Sequence, residues 1–376
     1  MIDRNSKIPY VNLNKQWINE RDELLPIIDK VLESAELVGG QELEKFEKNI
    51  AKACGTKYAC ALNSGTDALM LALSSFGIGR GDEVITPPNS FIASTAAIVH
   101  IGAKPVFVDV LPDQNIDPYK IEAAITKKTK AIMPVHLTGR MCNMNQIMSI
   151  AKKFDLKVIE DAAQSIGSKY KGRLSGSVGD VGCFSTHPLK NLNASGDGGF
   201  LTTNHKHIYN HTITYRNHGM ANRNVVDHFG VVSRMDNLQA AILNYRLTRL
   251  DDVTQKRREN AKLYINGINN PHIFIPKEKD YEFNVYHTFV IQTKYRDELK
   301  QYLHDNEIDS AIHYPVPIHL QPAAKNLGYK FGDFPITEKQ SKEILTLPVN
   351  QYLEKIDIKR IINVINQFKS KVSIDD

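Results

Sequence analysis

From about residue 55 to residue 205, short apolar runs alternate with longer amphipathic stretches, and this alternation limits the fold more than any other feature of the chain. The runs Glu83–Thr86, Pro105–Asp109, Ala131–His136, Lys157–Glu160, Gly182–Ser185 and Phe200–Thr203 are rich in Val, Ile or Phe and read as strands. Helical patterns at Thr66–Phe76, Ser90–His100, Pro118–Thr126 and Asn143–Phe154 separate most of them. A strand that is followed by a helix before the next strand builds an α/β unit, with a mostly parallel sheet between helices. The last two runs are joined too tightly for a standard crossover, so one antiparallel member is expected.

Beyond this unit, Ser233-Arg-Met-Asp236 reads as a capping box opening a long helix, with Met235, Leu238, Ile242, Tyr245 and Leu250 along one apolar stripe. The charged stretch Asp251–Asn260 is expected to carry that helix into solvent. A boundary near 250 then divides a large domain, 1–250, from a smaller α+β domain, 251–376. The latter has a strand at His287–Gln292 and helices at Arg296–Asn306, Glu338–Ile344 and Lys359–Lys369. A chain of 376 residues is long enough for two such domains.

Composition excludes several classes. The net charge of +5 is mild and spread along the chain, with no basic stripe or aromatic platform for nucleic acid. The stretch MIDRNSKIPYVNL lacks a signal-like apolar core, and no run approaches the ~18 apolar residues of a membrane span. Cys54, Cys60, Cys142 and Cys183 form no CxxC pair, so neither a zinc site nor a redox motif is indicated. Sparse cysteines fit a reducing compartment, and a cytoplasmic location is expected.

Open α/β sheets bind ligands beyond the carboxyl ends of their strands. Four segments carry suitable chemistry. Asn63-Ser-Gly65-Thr66-Asp67 precedes a helix, where free N–H groups and the helix dipole favour an anion; by itself the string is also an ordinary cap. Glu160-Asp161-Ala-Ala-Gln164 closes a strand, and a carboxylate there can pair with a protonated ring nitrogen or simply cap the next helix. Gly182 to Gly199 places a single lysine, Lys190, between a strand and a glycine-rich turn, with Ser185 five residues earlier. An amine buried there loses its proton more easily and can form a Schiff base with an aldehyde. The proline-stiffened Ala311-Ile-His313-Tyr314-Pro-Val-Pro-Ile-His319 suits hydrogen bonding to sugar or phosphate oxygens; its His pair lacks a third metal ligand of suitable spacing.

These segments together resemble the DegT/DnrJ/EryC1/StrS family of sugar aminotransferases, pyridoxal-5'-phosphate (PLP) enzymes of fold type I. The resemblance runs from about Ile8 to Ile362 and rests on NSGTDALMLAL, GRGDEVITPPNSFIAS, VIEDAAQSIGSKYKG, GCFSTHPLKNLNASGDGGFLTTN, SRMDNLQAAIL and IHYPVPIHLQP. It implies that Lys190 holds PLP and shuttles the proton, that Asp161 faces the pyridine nitrogen, and that Gln164 lies beside the ring hydroxyl. It implies Gly65, Thr66 and Ser185 as phosphate ligands and Phe91 as the ring stacked on the pyridine. His187, His313, Tyr314 and His319 resemble residues lining the sugar side. Expected substrates are a nucleotide-linked keto sugar and L-glutamate, in a homodimer with its active sites at the subunit interface. The string after Lys190 resembles the branch acting at C3 of dTDP- or UDP-linked sugars, with amination at C4 as the alternative. A dehydratase branch replaces the lysine by histidine, and a regulatory homologue would lose Lys190 or Asp161; both residues are present. One departure is Val232, where the family commonly has an Asn reaching the neighbouring subunit's PLP phosphate.

Overall fold

The computed structural model describes residues 7–370. The chain opens with two helices, α1 (Leu13–Ser34) and α2 (Gln41–Ala53). The sheet unit follows: β1 (Tyr58–Leu62), α3 (Gly65–Ser75), β2 (Glu83–Thr86), α4 (Ile92–His100), β3 (Lys104–Phe107), α5 (Pro118–Ile121), β4 (Thr129–Ile132), α6 (Met144–Phe154) and β5 (Lys157–Asp161). A short hairpin, β6 (Lys169–Tyr170) and β7 (Arg173–Leu174), leads to β8 (Val181–Ser185) and β9 (Gly199–Thr203). These form a seven-stranded sheet in the order β1-β9-β8-β5-β4-β2-β3. β8, β5, β4, β2 and β3 pair parallel, while β9 is antiparallel to both β1 and β8, as the tight connection requires. The carboxyl ends of β1, β2, β5 and β8 therefore share one edge.

The strands are apolar and nearly continuous because helices cover both faces. α3 packs its Leu69, Leu71 and Leu73 against β8 and β9, and its start is set by Ser64, whose Oγ accepts the Asp67 N–H at 3.0 Å. The strand at Tyr58–Leu62, which pairs with β9 at the sheet edge, was not among the runs read from sequence.

After α7 (Lys206–Tyr215) and a hairpin, β10 (Met220–Asn222) and β11 (Val225–Val226), come α8 (Asn237–Leu247) and α9 (Leu250–Gly267). Two expectations fail here. Ser233 caps nothing: Asp236 is the N-cap, without a side-chain hydrogen bond, and the Ser233 hydroxyl instead donates to Asn63 Oδ1 at 3.2 Å. The helix also breaks at Thr248-Arg249, and α9 does not run out into solvent. Its Thr254, Arg257, Asn260, Ala261 and Tyr264 are buried against the rest of the chain.

The remainder holds β12 (Glu282–Phe283), β13 (Phe289–Gln292), α10 (Arg296–Asp305), α11 (Pro335–Glu343), β14 (Ile344–Leu347) and α12 (Lys355–Gln367). Its core gathers Tyr264, Phe289, Leu299, Leu345 and Ile361, and also Ile8, which bridges to Ile308 from the other end of the chain. The helix read at Glu338–Ile344 lies earlier, because Ile344 starts a strand paired with β13. No helix among the described residues is long and apolar enough to cross a membrane.

Candidate active site

Side chains alternate across a strand, so consecutive residues at the end of β5 serve opposite sides. Glu160 is fully buried and accepts N–H groups of Gly176, Val178 and Gly179 at 2.6–2.9 Å, while His136 Nε2 lies 2.8 Å from its Oε2. Burial alone would raise this carboxyl, but His136 and the amide donors outweigh it and hold it low. Glu160 is thus a satisfied structural anion. Asp161 faces the other way, into a cavity of about 420 Å³ at the carboxyl edge of the sheet.

Gly65, Thr66, Phe91, Asp161, Gln164, Ser185, His187, Lys190, His313 and Tyr314 all line that cavity. At one part of its wall, α3 presents its N-terminus. Ser64 takes the N–H groups of Asp67 and Ala68, and those of Gly65 and Thr66 have no protein acceptor among the described hydrogen bonds. Position 65 has to be glycine, since a Cβ there would lie 2.8 Å from the Cβ of Ser185. Helix amides and two hydroxyls then share the space an anion needs.

Lys190 projects its amine into the same cavity. Burial lowers its pKa to about 8, although the Asp161 carboxylate pulls the other way. Asp161 is itself pushed up by burial. It is held back by the Ser94 hydroxyl, which donates to Oδ2 at 2.6 Å, by the Ala163 N–H and by the charge of Lys190. Gln164 is oriented by Thr138, a β-branched residue in the left-handed region (φ 64°), whose N–H donates to Gln164 Oε1 at 2.8 Å. With Oε1 so engaged, the amide N–H side of Gln164 meets Tyr314, to whose oxygen it donates, and the second N–H has no acceptor among the described hydrogen bonds. Phe91 ends the loop before α4 and tilts against Tyr314, with ring centroids 5.7 Å apart. His313 binds Thr346 Oγ1 through Nδ1 at 3.0 Å.

His319 is not in the cleft. It sits in a 3-10 turn, Ile318–Leu320, that points it inward. There Nε2 is 3.0 Å from Glu338 Oε1 and the ring packs edge-on against Phe334, so its role is in packing. Val232 is half-exposed, bridges to Asn217 and does not line this cavity. Among the cavity residues the sequence reading passed over are Ser94 and His287. The spacing of Ser94 from Phe91, about one helical turn, was a usable signal; His287 lay within a strand-like run and carried none.

This geometry fits PLP: an anion cradle, a lysine with a depressed pKa and a buried carboxylate border one cavity. Comparison with known proteins decides the matter, because residues 19–366 match the model of the DegT/DnrJ/EryC1/StrS aminotransferase family. The chain belongs to this family. It is 42% identical over 364 residues to the dTDP-3-amino-3,6-dideoxy-alpha-D-galactopyranose transaminase of Aneurinibacillus thermoaerophilus, spanning 96% of this chain and 99% of that one. It is also 40% identical over 365 residues to a pleiotropic regulatory protein of Geobacillus stearothermophilus, spanning 96% and 98%. The crystal structure of S. venezuelae DesV in complex with a ketimine intermediate superposes with a TM-score of 0.95 at 37% identity, covering 98% of this chain and all of that one. Other solved neighbours hold PLP or its amino form. The chain is a PLP-dependent aminotransferase of fold type I.

Proposed function

We propose that this aminotransferase moves an amino group from L-glutamate to C3 of a dTDP- or UDP-linked keto-deoxysugar, in cell-surface polysaccharide or glycoside biosynthesis. The observation that carries the reading is the pairing of Lys190, its pKa near 8, with Asp161 in one cavity whose remaining wall offers aromatic and histidine groups to a sugar. The A. thermoaerophilus relative, named a dTDP-3-amino-3,6-dideoxy-alpha-D-galactopyranose transaminase, favours C3.

Bound PLP supplies an electron sink for the carbon that loses its proton. The neutral amine of Lys190 would hold the cofactor and, once the donor's amino group has displaced it, would carry a proton at Nζ from one carbon to the other. Asp161, steadied by Ser94, holds the ring nitrogen protonated. The Gln164 amide donates beside the ring oxygen, since Thr138 already occupies its Oε1. Gly65, Thr66 and Ser185 would hold the phosphate and Phe91 would stack on the ring, leaving His187, His313 and Tyr314 for the sugar.

We propose a homodimer in the cytoplasm. On α1, Ile18, Leu25 and Leu32 repeat at one face yet are exposed, and Phe229, beyond β11, is 98% exposed beside Val231 and Val232. All four cysteines are free and buried. Within each chain we read residues 1–250 and 251–376 as the large and small domains, with the segment around Ile8 packed on the latter.

A panel of 3-keto and 4-keto nucleotide sugars, incubated with L-glutamate and analysed by mass spectrometry, tests the reading. A 3-amino product with stoichiometric 2-oxoglutarate is expected. Preference for the 4-keto substrates would move the reaction to C4, and no amination by PLP-loaded protein would overturn the reading.

A further inference from the structure

The segment 285–288 is tied to three parts of the cleft wall at once. The Val285 N–H donates to Gly139 O at 3.1 Å, and the Thr288 N–H to Thr138 O at 3.4 Å, in the same turn that orients Gln164. Asn191, next to Lys190, donates from Nδ2 to Val285 O at 3.0 Å. Arg257 of α9 donates to the carbonyls of Tyr286 and His287 at 3.2 and 3.1 Å. The approach is close enough to require glycine at 139 (φ 93°), where a Cβ would stand 2.9 Å from His287 N. His287 is therefore placed as firmly as Lys190 or Gln164, which is what a group that binds substrate needs.

Its ring lines the cavity. Nδ1 is sealed from solvent and has no partner among the described residues, although the residue as a whole is only partly buried. Nε2 has no protein partner among the described hydrogen bonds and is not sealed, so it opens on the cavity. A buried N–H without an acceptor is less tolerable than a buried lone pair without a donor, so the proton resides on Nε2. Burial first, then Lys190, Arg257, His313 and His187, drive the pKa of this ring well below the ordinary histidine value. The shift favours the neutral ring, which offers one donor to whatever lies in the cavity. An anion is better served elsewhere, the phosphate by α3 and a carboxylate by a cation. A single uncharged donor matches an uncharged acceptor.

We propose that His287 is a substrate-binding residue that donates its Nε2–H to a hydroxyl, keto or ring oxygen of the sugar, and so acts in the transfer to the sugar and not in the reaction with L-glutamate. This rests on the function proposed above. The two half-reactions are separable on the holoenzyme: L-glutamate with the PLP form, and a dTDP- or UDP-linked 3-keto-deoxysugar with the amino form, each followed by the cofactor's absorbance. His287→Phe keeps the ring volume and removes the donor. Loss of one hydrogen bond to a neutral acceptor is expected to raise the sugar's apparent Kd roughly tenfold, with the glutamate half-reaction unchanged. His287→Gln, whose amide N–H reaches about where Nε2–H does, is expected to recover most of the loss. If H287F does not fold, His287→Asn, too short to reach, replaces it under the same expectation. Equal losses in both half-reactions, no loss in either, or no recovery with H287Q would overturn the proposal. If the unsubstituted enzyme aminates none of the sugars, the functional reading fails first and the role of His287 with it.

Discussion

Replacing Asp161 by Asn removes one negative charge from the wall that Lys190 faces, and the sign of the effect on Lys190 is fixed. The carboxylate favours the ammonium form, so its loss lowers the amine's pKa further, below the net value of about 8. At pH 8 about half of Lys190 is neutral, whereas an unperturbed lysine near pKa 10.4 would be neutral in roughly one molecule in 250. The cleft thus raises the reactive fraction on the order of 100-fold. An opposite charge nearby is worth at least about one pKa unit when fully ionised. A downward shift of about one unit is therefore expected in D161N. The assay strips PLP, returns it across a pH series and follows the visible absorbance of covalently bound cofactor. Attachment should rise through about pH 8 in the unsubstituted protein and at a lower pH in the variant. Once loaded, D161N should show a large fall in kcat with KM values spared, since an amide cannot keep the ring nitrogen protonated. A midpoint near that of free lysine, an upward shift in the variant, or an unchanged kcat would refute the reasoning.

Lys190→Ala should lose kcat by at least about 10²–10⁴-fold, the span of general acid–base catalysis, while still binding PLP non-covalently by dialysis; retained turnover would remove Lys190 from its role. Val232→Asn adds a donor that Val232 lacks, and if the partner subunits pack as in the family it should hold PLP several-fold more tightly. The gain is bounded by the ~1.5–3 kcal/mol of a hydrogen bond to a charged group, and PLP titration by fluorescence checks it. His319→Ala leaves the buried Glu338 without one of its donors and opens space beside Phe334. Urea denaturation should show a loss of about 1–3 kcal/mol with kcat unchanged.

The α/β layering, the antiparallel strand and the strand-end position of Asp161 were legible because they are local. Strand and helix periods are written in successive residues, and a strand end followed by Asp161 stays at the sheet edge however the rest packs. Lys190 and the Ser64–Thr66 turn were legible for the same reason: glycine, serine and lysine at fixed offsets define a turn by their own backbone chemistry. What failed depended on partners far along the chain. Ser233 looked like a cap until Asn63 claimed its hydroxyl, and Asp251–Asn260 looked solvent-bound until Arg257 was needed to bind carbonyls of residues 286 and 287. His319 shares a short loop with His313, yet one turn of 3-10 helix sends it toward Glu338 and away from the cavity. His287 was invisible because nothing in a strand-like run states which cavity its side chain will meet. A one-dimensional pattern specifies elements through interactions between near neighbours, whereas the identity of a buried side chain's partner is set by which elements the sheet brings together. For this protein the sequence determined the layers and the positions of lysine and carboxylate, and the tertiary packing alone decided which histidines line the cavity.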